Sequence, residues 1–177
     1  YGIRQQDNRF GQTSYLCMSD FIAPKKTNID DYIGIFAVTS GINLEEEKEK
    51  FKKDYDDYNV IMLDAIIDRL AEALTEMLHH KVRTEYWGYE KNELKNINDL
   101  HKIKYQGIRP APGYPVQPDH TEKEQIWKLL NVEKNIGIKL TESYSMYPTA
   151  SVCGIYFAHP DSKYFSVNKI QKDQIND

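Results

Sequence analysis

From Asp57 to about Tyr86 the chain reads DYNVIMLDAIIDRLAEALTEMLHHKVRTEY, the stretch that most narrows what it can fold into. Val60, Leu63, Ile67, Leu70, Leu74, Met77 and Leu78 recur at spacings of three, four or one. That is the 3.6-residue period of an amphipathic helix. Asp64, Asp68, Glu72 and Glu76 follow each other at i,i+4 on the polar face. Like charges so placed repel by roughly a few tenths of a kcal/mol per pair. The row is either solvated or set to meet a cationic or hydrogen-bonding partner.

Other segments surround this helix without a regular strand–helix alternation. TSYLCMSDFIAP (Thr13–Pro24) is rich in β-formers and predicts a strand ending at proline. DYIGIFAVTS (Asp31–Ser40) predicts a second, buried strand. From Asn43 the pattern turns helical and highly charged, and a short helix is expected around Ile97–Ile103. DHTEKEQIWKLLNVEKNIG predicts another helix, with Asp119 as N-cap, Glu122 completing a capping-box pattern and Gly137 as stop. IGIKLTES, SVCGIYFAH and SKYFSV read as strands, and KIQKDQIND as a terminal helix. The order favours an α+β fold: a mixed or antiparallel sheet with flanking helices, including the long one of about 57–86, in a single domain.

At 177 residues the chain is long enough for one substantial core. Its net charge of −4, with both signs interspersed, argues against a nucleic-acid partner. No apolar run reaches membrane-spanning length, so no membrane partner is expected. Cys17 and Cys153 lie in apolar runs and read as buried, reduced thiols of a cytoplasmic protein. The five histidines form no ligand spacing, since adjacent His79 and His80 point about 100° apart on a helix, and no metal site is expected. A P-loop, a GxSxG elbow and a GxGxxG turn are all missing. Tyrosine is over-used, 13 against 6 Phe and 2 Trp, which suits half-buried faces and polar ligand pockets.

One segment resists the periodic reading. GIRPAPGYPVQPDH (Gly107–His120) holds four of the seven prolines: Pro110, Pro112, Pro115 and Pro118. Proline fixes φ and removes a donor, and it biases the preceding residue towards extended backbone. The loop is therefore expected to be extended and stiff, with one joint at Gly113 and with its carbonyls and the Ala111 amide open to a ligand. Arg109 adds a planar fork suited to a carboxylate and Tyr114 adds a ring. On composition alone, a connector and a clamp are equally good readings. In HPDSKYFSV, Tyr164 and Phe165 are expected on opposite faces of a strand, either one able to wall a pocket.

GIRPAPGYPVQPDHTEK (Gly107–Lys123) resembles the signature loop of the activation domain of cobalamin-dependent methionine synthase, its S-adenosylmethionine-binding C-terminal module. DFIAP, DYIGIFAVT, DRLAEAL, LTES, HPDSKYFSV and KIQKDQIND resemble further blocks of that family, in family order. The resemblance covers essentially all of residues 1–177. It implies a domain that presents S-adenosylmethionine for reductive remethylation of cob(II)alamin to methylcobalamin. The electron would come from a flavodoxin or a flavoprotein reductase, and the cobalamin from the cobalamin-binding domain of the same enzyme. Residue by residue, it implies that Arg109 holds the ligand carboxylate. Pro110, Ala111 and Gly113 would supply backbone around the adenosine, with Tyr114, Tyr164 and Phe165 beside it. Asp68 and Glu72 match family positions facing the cobalamin domain. No residue of the chain is expected to be catalytic in itself, because the reduced cobalt is the nucleophile. The family residue that takes the ligand's amino group falls ahead of Tyr1, so the chain is expected to bind S-adenosylmethionine weakly or not at all by itself, and to be a piece of a longer module, inactive alone. The contrasting readings are a noncatalytic module that docks to a corrinoid or flavodoxin partner without the ligand, and a free-standing methyltransferase.

Overall fold

The computed structural model of the chain describes residues 2–6, 14–90 and 97–169. In chain order the regular elements are β1 (Gly34–Thr39), α1 (Leu44–Lys53), α2 (Asp57–Lys81), α3 (Ile97–His101), α4 (Lys123–Leu130), α5 (Val132–Ile136), β2 (Lys139–Leu140), β3 (Met146–Tyr147) and β4 (Ser151–Tyr156). Helices around small sheets give the α+β class that the sequence predicts. The chain divides into two units that alternate along the sequence: residues 1–34, 81–120 and 154–177, and residues 35–80 and 121–153.

The second of these carries most of α2. Helix α1 opens with Glu45, Glu46 and Glu47 and closes with Lys50, Lys52 and Lys53, the charge order its dipole favours. Asp56 then caps α2, its carboxylate accepting the Asn59 N–H at 3.0 Å. Lys48 ties the two helices together through Asp64 at 3.0 Å. β1 pairs with β4, and β2 pairs antiparallel with β3, Lys139 opposite Tyr147. At the end of β1, the Ser40 N–H and the Thr39 hydroxyl both donate to the Ala150 carbonyl, each at 3.1 Å.

The buried face of α2 departs from the expected one. Leu70 and Met77 are half exposed, at 51% and 49%, while Ala71, Thr75 and His79 are buried. Size and satisfiable hydrogen bonds select this row rather than hydropathy. The Thr75 hydroxyl donates back to the Ala71 carbonyl at 2.8 Å, so it enters the interior already paired.

The other unit is largely irregular and built on an apolar cluster of Met18, Phe21, Ile108, Val116, Phe157, Phe165 and Val167. Phe21 meets Phe157 edge-on, with centroids 6.3 Å apart. Among the described residues of the expected Thr13–Pro24 strand there is instead a 3-10 turn, Met18–Phe21. Its cause is local. The Asp20 carboxylate accepts the Cys17 N–H at 2.9 Å and both terminal nitrogens of Arg4 at 2.9 and 3.0 Å. The i,i+3 register then drives Met18 and Phe21 together into the cluster.

Two further expectations change. SKYFSV is not a strand, although inward Phe165 and Val167 still alternate with outward neighbours. The single helix expected after Asp119 is a 3-10 turn (His120–Glu122), then α4, then α5. Asn131, at φ 48°, ends the one and starts the other. The predicted terminal helix lies outside the described residues, apart from its first residue.

Candidate functional site

The proline loop is built in two parts. Ile108 exchanges both backbone hydrogen bonds with Phe157, each at 3.0 Å, and the Pro110 carbonyl accepts the Ile155 N–H at 2.9 Å. Residues 108–110 thus lie antiparallel along the end of β4. Proline lacks the donor to continue the ladder, so pairing stops there. The chain then folds through two tight turns, Tyr114 N–H to the Ala111 carbonyl at 3.2 Å and Gln117 N–H to the Tyr114 carbonyl at 2.8 Å. Pro112 and Pro115 each occupy the second position of a turn, where their fixed φ is preformed.

The expected extended loop with open carbonyls is therefore corrected. Those of Pro110, Ala111, Pro115 and Gln117 are all taken, by Ile155, Tyr114, Val167 and Gly113. Gly113 is no joint either. It sits at φ +100° in the first turn, its N–H is held by Gln117, and a Cβ there would strike the His120 imidazole. The Ala111 N–H does remain without a hydrogen bond among the described residues.

The ladder decides where Arg109 points. Ile108 and Pro110 are both buried against the unit, so Arg109 between them projects to the other face. Its N–H, turned away from β4, donates to the Tyr164 hydroxyl at 3.0 Å. Its guanidinium donates from Nη1 to the Tyr105 hydroxyl at 3.0 Å. Tyr114 is exposed and Tyr164 partly so. The structure thus brings Arg109 and Tyr164 together. Phe165 points the other way, 9% exposed and packed 6.4 Å from Phe21, where it holds the segment that carries Tyr164.

Beneath Arg109 lies a polar layer that the sequence does not announce. A π-turn (Val82–Tyr86) follows α2 and places Arg83 in the interior, 1% exposed. The Arg83 guanidinium carbon stands 3.8 Å from the centre of the Tyr105 ring, and its Nε is 2.9 Å from Glu90 Oε2. The other oxygen of Glu90 accepts the Gln106 N–H at 3.1 Å. Gln106 in turn donates to the Ala158 carbonyl at 2.7 Å. Burial holds the Tyr89 hydroxyl well above the usual tyrosine range, so it stays protonated beside Gly107. The surplus of tyrosine was the one signal pointing here.

Asp68 and Glu72, on α2, are exposed and make no ion pair among the described residues, whereas Asp64 is taken by Lys48. They line a shallow groove with Arg69 and residues 149–152. No helix of the described residues is long and apolar enough to cross a membrane.

A family model described as "Vitamin B12 dependent methionine synthase, activation domain" matches residues 1–177. A solved structure described as "Crystal Structure of the MetH Reactivation Domain bound to AdoHcy" is 53% identical, with a TM-score of 0.94. The alignment covers 99% of this chain and 54% of that one, so the chain spans about half the length of the structure it matches.

Proposed function

The chain belongs to the activation-domain family of vitamin B12 dependent methionine synthase, and from that premise we propose that it binds S-adenosylmethionine and presents it for remethylation of the enzyme's cobalamin. The observation that carries this reading is Arg109, fixed on the edge of β4 between two tyrosine hydroxyls and two residues from the unbonded Ala111 amide. The solved relative was crystallised with AdoHcy, a ligand of the same adenosyl amino-acid class.

The residues suit the ligand group by group. A guanidinium fork matches a carboxylate, giving short charge-assisted hydrogen bonds. The Ala111 amide offers a donor that costs nothing to redirect, since no internal bond is broken. Exposed Tyr114 and Tyr164 present aromatic faces, which favour a nearby sulfonium cation. Pro110, Gly113 and Phe165 act by holding these groups rather than by touching the ligand. Bound S-adenosylmethionine supplies an activated methyl group, and the chain's own residues need act as neither acid, base nor nucleophile.

In the whole enzyme, a methyltransferase, the cobalamin is held by another domain. Unpaired Asp68 and Glu72 belong to the face of α2 that meets it. The electron donor is a flavodoxin or a flavoprotein reductase, a partner that rests on the family likeness. Two buried free thiols suit a reducing, cytoplasmic setting. Amide chemical-shift mapping during a titration with S-adenosylmethionine tests the reading. Shifts centred on Arg109–Tyr114 and Tyr164 are expected; saturable binding that leaves them unmoved would refute it.

A further inference from the structure

An arginine clamp works only if its fork is held, and the two tyrosines divide that task. Tyr164 fixes the Arg109 backbone through its N–H, while Tyr105 meets the guanidinium itself, each at 3.0 Å. We propose that Tyr105 is a positioning residue that fixes the orientation of the Arg109 guanidinium, and that Arg83 and Glu90 hold the Tyr105 ring in place.

Tyr105 is buried, so its hydroxyl cannot swing out to water without moving the ring. The Arg83 guanidinium carbon lies over one face of that ring at 3.8 Å, a cation–π contact that restrains the ring. Arg83 is in turn set from two sides. Its Nε lies 2.9 Å from Glu90, and its backbone carbonyl accepts the Glu90 N–H at 3.0 Å. Glu90 also grips Gln106, next to Tyr105 in the chain. The closed ring of contacts therefore runs Arg83, Glu90, Gln106, Tyr105 and ends on Arg109.

A buried ion pair is a poor source of net stability compared with apolar residues of the same volume. Here it has a directional use: the charges restrain a ring, and the ring fixes a hydroxyl. An Arg109 already restrained in the free protein loses less side-chain entropy when a carboxylate binds.

The test uses Tyr105→Phe, which removes only the hydroxyl and keeps the ring on Arg83. In the ligand-free chain, guanidinium nitrogen NMR should show slow rotation of the Arg109 Cζ–Nη bonds, becoming fast in the variant. Equal rotation in both proteins overturns the proposal. The second arm rests on the ligand reading above. Tyr105→Phe should weaken S-adenosylmethionine binding about tenfold, yet leave binding of 5′-methylthioadenosine, which has no carboxylate, unchanged. Equal weakening of both ligands would mean a merely structural role and would also overturn it. If the unaltered chain binds no S-adenosylmethionine, the ligand reading fails, and the rotation measurement still decides this one. Arg83→Lys keeps the charge facing Glu90 but not the guanidinium over the ring, and should speed Arg109 rotation in the same direction.

Discussion

Gly107→Ala should be among the most damaging single-methyl changes in the chain. Gly107 has φ +88°, and a Cβ built on it would lie 2.6 Å from the Phe157 carbonyl oxygen and 2.7 Å from the Tyr89 hydroxyl. Left-handed backbone costs an L-residue about 1 kcal/mol or slightly more. Overpacking against groups that cannot give way adds about 1–3 kcal/mol. The Phe157 carbonyl cannot give way, because it accepts the Ile108 N–H one residue along. The total is about 3 kcal/mol, which for a chain of this size lowers the melting temperature by roughly 6–12 °C. Urea unfolding gives the free energy directly. The contrast with Gly113→Ala sharpens the test. There the obstruction is the His120 imidazole, a side chain rather than backbone, so that variant should lose less, about 1–2 kcal/mol. A Gly107→Ala loss below about 1 kcal/mol, or one no larger than that of Gly113→Ala, would refute the reasoning.

Ile103 is a β-branched residue at φ 51°, just past α3, and Ile103→Asn should relieve that strain and raise the melting temperature by about 2–4 °C. Arg4, hydrogen-bonded to Asp20, holds its carboxyl below the usual range. Its stabilisation is therefore present above the unfolded carboxylate value of about 4 and lost as pH falls through the lower folded value. Asp20→Asn should accordingly lower stability at pH 7, the difference vanishing in acid; a pH-independent loss would count against the pair. Burial pushes the Cys153 thiol up to about 11, so site-resolved alkylation of the native chain should be negligible at pH 8 and rise only in strong alkali.

What could be read from the sequence was local. The helix begun at Asp57 follows from spacing, although it gives way to a π-turn after Lys81. Proline geometry marked the loop as stiff but not its two turns, and Arg109 as a clamp came from the family resemblance alone. The Arg83–Glu90–Tyr105 layer was not legible. Its members are ordinary polar residues whose burial depends on a π-turn and on Gly107 letting the backbone approach Phe157. Hydropathy also misplaced the inner face of α2, since Thr75 is buried by virtue of its own back-bond while Leu70 is left half exposed. The 13–24 segment looked like a strand because its residues favour one. Asp20 bound the Cys17 amide instead, a side-chain bond that no propensity records.

The central claim is that Arg109 clamps the carboxylate of S-adenosylmethionine. Calorimetric titration of the chain and of Arg109→Ala tests it most directly. The account predicts saturable one-to-one binding that weakens at least about tenfold in the variant, the loss expected for a charge-assisted hydrogen bond. Identical affinities in the two proteins would contradict it.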